Sequence, residues 1–289
     1  MDGFADFHTH TVYSHGRGSV LDNALAARRR GLLQVGISDH GPASLLGVGI
    51  DGVDALRRLR DDIDGLQRSE GVGVQIFLGI EANVVDLKGT LDVPEEVLTR
   101  LDYVMVGLHV PVRPRRLADA LRFAAVNGPA RWLPAVGRRA RFLNTEALIG
   151  AVNRYPVDVV THPGWRLPID TPALAAACAA RGTALEVNAS HHHGGVPYIR
   201  AAAAAGVDFV VGSDAHCPER VGDFRRAFAL LKAAGVGWER VRNALSPEGK
   251  LSLAAEQAIR AGLPVVRVRP AHPAPGPEGR GTARGEERS

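Results

Sequence analysis

Eleven histidines occur in this chain, and ten of them precede residue 217. Nearly all follow short apolar runs. The first run ends in Phe7-His8-Thr9-His10, with His15 a little further on, and the next ends in Ser38-Asp39-His40. Ile80-Glu81-Ala82-Asn83, Leu108-His109 and Thr161-His162-Pro163 close the middle runs, and Ser213-Asp214-Ala215-His216 closes the last. Glu186-Val187-Asn188 leads into three consecutive histidines, His191, His192 and His193. Imidazole and carboxylate donors without a thiolate set suit zinc, manganese or iron(II) rather than calcium. His8, His10, His15, His40, His109, His162 and His216, with Glu81 and Asp214, exceed what one cation takes, so two ions follow and a third has donors to spare. A single histidine after a strand is ordinarily structural. Six strands each delivering a ligand-type residue to one rim are another matter, because without cations they would crowd polar groups at costly, half-buried positions.

The elements that must position these residues are short apolar runs at 5–7, 35–38, 74–80, 103–108, 157–161, 184–187 and 209–212. Such continuous runs read as strands buried on both faces. Helical spacing of apolar residues fills the intervals at 20–30, 53–68, 145–152, 172–181 and 198–205, with further helices expected at 94–100, 223–234 and 238–245. Gly31, Gly182 and Gly206 stand where helices commonly stop. Alternating strands and helices predict a parallel sheet. Seven strands point to an α/β fold of the distorted (β/α)7 TIM-like barrel type, with an open doubly wound sheet as the alternative. In a barrel the C-terminal strand ends share one face, so residues as distant as His8 and His216 can meet. His-x-His fits this geometry, since alternate residues of a strand point to the same side. Residues 1–266 are expected to form that barrel. Residues 267–289, rich in Pro, Gly, Arg and Glu, are expected to be a disordered tail in which His272 has no ligand role.

Composition narrows the class. Hydrophobic residues make up 45% and charged residues 23%, as in globular enzymes. There is no apolar stretch long enough for a membrane span and no secretory leader pattern, so a cytoplasmic protein is expected. Cys178 reads as a packing residue and Cys217 as a bystander to His216. The net charge is only +4, yet eight arginines (Arg113, Arg115, Arg116, Arg122, Arg131, Arg138, Arg139, Arg141) share one stretch with a single acid, Asp119. They read as a solvated face or as partners of an anionic substrate. Asp39 and Asp6 read either as acceptors orienting an imidazole or as helix caps.

The motifs HTHTVYSHG, ISDHG, GIEAN, GLH, THPG and GSDAH resemble, in order, those of the PHP (polymerase and histidinol phosphatase) superfamily, over residues 5–251. The resemblance implies a distorted (β/α)7 barrel, a trinuclear metal centre and phosphoester hydrolysis. It implies one ion on His8, His10, Glu81 and Asp214, a second bridged by Glu81 with His109 and His162, and a third on His15, His40 and His216. His15 is the loosest match, because the loop after HxHT differs in length among members. Glu81, Asp214 and His216 are then the expected catalytic residues. Asn188, His191, His192, His193 and Arg220 are the expected substrate contacts. In this reading a hydroxide bridging the ions joined by Glu81 attacks phosphorus in line.

The leading expectation is a phosphatase for a small phosphomonoester, resembling histidinol phosphatases. A nuclease or phosphodiesterase acting on nucleotides or nucleic-acid ends is the alternative, although an aromatic content of 5% leaves few stacking platforms. A metal-binding scaffold without catalysis would require missing ligands, and none is missing.

Overall fold

In a computed structural model of the chain, the described residues are 2–69, 71–114, 116–128, 133–191 and 195–267. The apolar runs become parallel strands. β1 (Ala5–Asp6), β2 (Gln34–Ile37) and β3 (Gln75–Leu78) form one sheet in the order β1-β2-β3. β4 (Glu81–Asn83), β5 (Met105–Gly107), β6 (Val159–Val160), β7 (Ala184–Asn188) and β8 (Phe209–Gly212) form a second in sequence order. Each register is parallel, as alternation with helices requires. The sheets touch at both edges. A parallel bridge links Thr9 to Ala215, and another links His40 to Glu81. The run expected as one strand at 74–80 therefore divides in two. Its break falls at Gly79, where the Tyr103 ring lies so close that no Cβ would fit.

The helices are α1 (Val20–Arg29), α2 (Asp54–Arg68), α3 (Glu95–Leu98), α4 (Leu117–Asn127), α5 (Pro134–Arg154), α6 (Thr171–Arg181), α7 (Gly195–Ala204), α8 (Arg225–Ala234) and α9 (Leu253–Arg260). Local chemistry explains their ends. Ser19 and Asp22 form a capping box at the start of α1. Asp170 caps α6, and Gly182 ends it in the left-handed conformation that costs glycine least. On α2 the buried residues Ala55, Leu56, Leu59 and Ile63 recur at helical spacing and face the sheet.

Strand alternation divides the core. Val210 joins Ala5, Phe77, Met105, Val159 and Ala184 in a cluster fed by six strands, while its neighbours Phe209 and Val211 pack in the larger cluster that includes the helices. Tyr103, fully buried in the six-strand cluster, donates its hydroxyl to Phe7 O at 2.8 Å. α9 and the turn Val265–Arg267 pack against the same cluster.

Three helical expectations change. Instead of a helix at 238–245 there is a short 3-10 turn, Trp238–Arg240. Val241 then bridges to Phe209, and Asn243 donates to Ala5 O and Val211 O, each at 2.7 Å, stitching β1 to β8. Strand pairing here outweighs local helix preference. α5 begins eleven residues earlier than 145, at Pro134, because exposed arginines blur its apolar spacing, and α4 is an addition for the same reason. Of the arginine-rich stretch, Arg113, Arg116, Arg122, Arg138, Arg139 and Arg141 are exposed. Arg115 and Arg131, like His192, His193, His272 and residues 268–289, lie outside the described residues.

Candidate metal centre

Every strand end that carries a ligand-type residue opens on one place, and Glu81 stands at its middle. Its carboxylate is fully buried. Oε1 lies 2.9 Å from His162 Nε2 and 3.2 Å from His109 Nε2, and accepts a hydrogen bond from Thr161 Oγ1 at 2.8 Å. Oε2 lies 2.8 Å from His40 Nδ1, 3.4 Å from His8 Nε2 and 3.8 Å from His10 Nε2. The two oxygens thus face different sets of imidazoles. Asp214 divides its oxygens in the same way. Oδ1 lies 3.3 Å from His10 Nε2 and 3.5 Å from both His8 Nε2 and His216 Nδ1, while Oδ2 lies 3.0 Å from His191 Nε2.

The backbone is held out of its comfortable range to achieve this. His162 has φ +24° and Asp214 has φ +55°, in the left-handed region that residues other than glycine avoid. Such strain persists where the surrounding fold dictates it. Here the dictation is traceable. Glu186 Oε2 accepts the His162 backbone N–H at 2.8 Å, and Asn188 Nδ2 donates to Asp214 Oδ2 at 3.2 Å.

The imidazoles are oriented from behind. His8 Nδ1 is 2.6 Å from Glu186 Oε1, and His109 Nδ1 is 2.8 Å from Asn83 Oδ1. A proton shared with either oxygen leaves the Nε2 lone pair facing the cluster, the tautomer a ligand needs. Glu186 and Asn83 carry these roles, although sequence reasoning assigned them none. Their signal was present: each lies on a strand at the rim, Glu186 two residues before Asn188 and Asn83 two residues after Glu81. Gly212 is needed for the same contact, because a Cβ there would meet Glu186 Oε1 and the His8 side chain.

Whether cations suit this cluster can be tested on its atoms. His8 Nε2, both ring nitrogens of His10, His40 Nδ1 and Glu81 Oε2 are buried without a hydrogen-bond partner among the described residues. Buried polar atoms are ordinarily satisfied, so this concentration signals bound ions. Burial opposes charge on Glu81, yet the facing His109, His40 and His8 hold its carboxyl well below the usual range. Asp214 behaves alike through His8 and His10. Burial lowers His10 and His40, further helped in His10 by the facing imidazole of His40, whereas against burial Glu186 raises His8 and Glu81 raises His109. The ionised state of the two carboxylates is the one that ligates metal. Four groups have donor atoms mutually within 4.8 Å: His8, His10 and Asp214; His8, Glu81 and His162; His40, Glu81 and His109; and His10, His40 and His216.

Other expected residues fall as follows. His15 lies near the fourth group, with ring centroids 4.2 Å from His216 and 5.0 Å from His40, but it is exposed and joins none of the four groups. Asn188 is turned inward. It donates to Glu186 and Asp214 and accepts from the backbone of Ser190 and His191, so its amide serves the protein. His191 stacks on Trp165 at 3.9 Å and borders a cleft of ≈ 850 Å³ whose wall includes His216, Arg220, Arg225 and Arg226. Arg220 reaches Ser190 Oγ at 3.4 Å. Cys217 lines the cleft outside all four ligand groups, and Cys178 is buried in the core. Asp39 neither orients an imidazole nor caps a helix. It accepts from Thr11 N, Thr11 Oγ1 and Ser14 Oγ, fastening the loop that leads to His15. Asp6 accepts the backbone N–H of His8, Ser213 and Gly222, clamping β1 to the loops after β8.

A family model described as the PHP domain matches residues 6–160 of the sequence. The chain belongs to the PHP domain family. A protein named probable phosphatase from Shewanella sp. (strain MR-4) is 32% identical over 262 residues, spanning 87% of this chain and 91% of its own. A probable phosphatase from Acetivibrio thermocellus is 30% identical over 256 residues, covering 84% and 92%. Among solved structures, the histidinol phosphate phosphatase of Lactococcus lactis, complexed with zinc, L-histidinol and phosphate, superposes with a TM-score of 0.56. It has 14% identity, over 82% of this chain and 95% of that one, a likeness of fold. Family and relatives together make this PHP protein a hydrolase. No helix among the described residues is long and apolar enough to cross a membrane.

Proposed function

We propose that this PHP protein is a phosphatase that hydrolyses a small phosphomonoester with two to three divalent cations, zinc, manganese or iron(II). The observation that carries the reading is Glu81, fully buried, with five imidazoles within 3.8 Å distributed over its two oxygens. A carboxylate so placed serves two ions at once. His8, His10, Asp214 and Glu81 would hold one ion, His109 and His162 with the same Glu81 a second, and His40 and His216 with His15 or His10 a third. The two sheets are read as one distorted (β/α)7 barrel, supported by the bridges at both edges and by the cluster that six strands fill. A cytoplasmic setting accords with two free thiols.

Bound there, divalent cations supply neutralising charge for phosphoryl oxygens and acidity for a water. The chain's own groups do the positioning. Thr161 and Glu186 keep Glu81 and His8 from rotating, and Asn188 steadies Asp214. His191, at the cleft edge, is placed to hold a proton at Nε2 for the departing alcohol oxygen. Arg220 offers its guanidinium to a phosphate in the same cleft.

The purified protein, supplied with Mn²⁺ or Zn²⁺, is expected to hydrolyse p-nitrophenyl phosphate far faster than the bis-ester. Preference for the bis-ester or for short oligonucleotides would instead support a phosphodiesterase. Replacing Glu81 with Ala is expected to lower turnover by at least roughly a thousandfold and to reduce bound metal. Near-normal turnover with normal metal content would refute the role given to Glu81.

A further inference from the structure

A second cavity, of ≈ 450 Å³, is also bordered by His109, and its character differs from the arginine-walled cleft. Its apolar wall is built from Val84 after β4, Val110 and Val112 in the loop after β5, Phe123 on α4 and Leu167 after β6. Val84 and Leu167 are buried, while Val110 is 49% exposed. His109 belongs to both places. Its ring lines the cavity, and its Nε2 lies 3.2 Å from Glu81 Oε1. An ester whose phosphoryl group sits on the cluster therefore has this cavity one side chain away.

We infer that the cavity receives the organic group of the substrate, and that this group is largely apolar. The inference rests on the phosphatase reading. Burying an alkyl or aryl body against Val84, Val110, Phe123 and Leu167 is favourable in proportion to the area removed from water. Asp119 and Arg166 line the same cavity with opposite charges, so its selectivity rests on apolar contact rather than on charge.

Two alkyl monoesters of matched leaving-group chemistry provide the test, ethyl phosphate and hexyl phosphate. The Mn²⁺-loaded enzyme is expected to favour hexyl over ethyl phosphate by roughly tenfold or more in kcat/KM, mainly through KM. Phe123→Ala is expected to collapse the hexyl-to-ethyl ratio. Val110→Ser repeats the measurement if the Phe123 variant does not fold. Hydrolysis of both esters with a ratio near one, unmoved by folded variants, overturns the assignment of the cavity and leaves the phosphatase reading standing. Hydrolysis of neither, with bis-esters cleaved, overturns both.

Discussion

Glu186 shows how much of this site is made by groups that face no cation. One of its oxygens holds the His8 ring and the other holds the His162 backbone, so a single buried carboxylate sets two proposed ligands from different strands. Such supporting contacts ordinarily govern metal affinity by 10- to 100-fold. Glu186→Gln should therefore weaken metal binding by about that factor, with turnover recovering in excess Mn²⁺. Metal titration followed by activity would check it; unchanged affinity would mean that His8 is positioned without Glu186. At this scale the sequence announced the donors well. It said less about their supports, because Glu186 and Asn83 are ordinary strand residues until the residues opposite them are known.

At the scale of elements, the strand ends act as a jig. β7 and β8 are the most fully paired strands of their sheet, with four residues in register; Asn188 pairs with Gly212, and the Glu186 side chain reaches across to the same glycine. Only a glycine leaves room for the Glu186–His8 contact to cross that point. Gly212→Ala is expected to destabilise the protein by about 1–3 kcal/mol through overpacking and to weaken metal binding together with it. Denaturant unfolding paired with metal analysis measures both, and a variant with normal metal affinity would separate strand packing from the site. Element existence was legible for most helices and strands from apolar spacing. The helix expected at 238–245 failed because its residues serve as β partners: Val241 bridges Phe209, and Asn243 fills hydrogen bonds of β1 and β8. α4 and the first half of α5 were hidden by arginines on exposed faces, where no burial pattern marks a helix.

For the whole molecule, stability and metal binding are expected to be coupled. The cluster packs buried carboxylates and imidazoles from both sheets, and several of their atoms have no protein partner. Removing cations should leave these groups uncompensated. Each ion at a hundredfold excess over its Kd adds about 2.7 kcal/mol to the folded state. For a domain of this size, chelation is therefore expected to lower Tm by at least about 5 °C, reversibly on adding Mn²⁺ or Zn²⁺. Calorimetry before and after chelation reads this directly; an unchanged Tm would mean that the site forms without ions. Two unlike recesses border the ligand groups, one walled by arginines beside His216 and one by valines and Phe123 beside His109.

The sequence alone determined the donor inventory, because ligand chemistry belongs to residue type and the ends of apolar runs are visible in one dimension. His8, His10, His40, Glu81, His109, His162, Asp214 and His216 were all readable that way. Only the tertiary structure decided which imidazole faces which carboxylate oxygen, that His15 stays at the exposed margin, and that Asn188 turns toward Asp214. It also decided that Asp119 and Arg166, far apart in sequence, line one cavity with His109. Those facts depend on distances between residues far apart in the chain, and such distances are set by sheet register and helix packing rather than by any local run of residues.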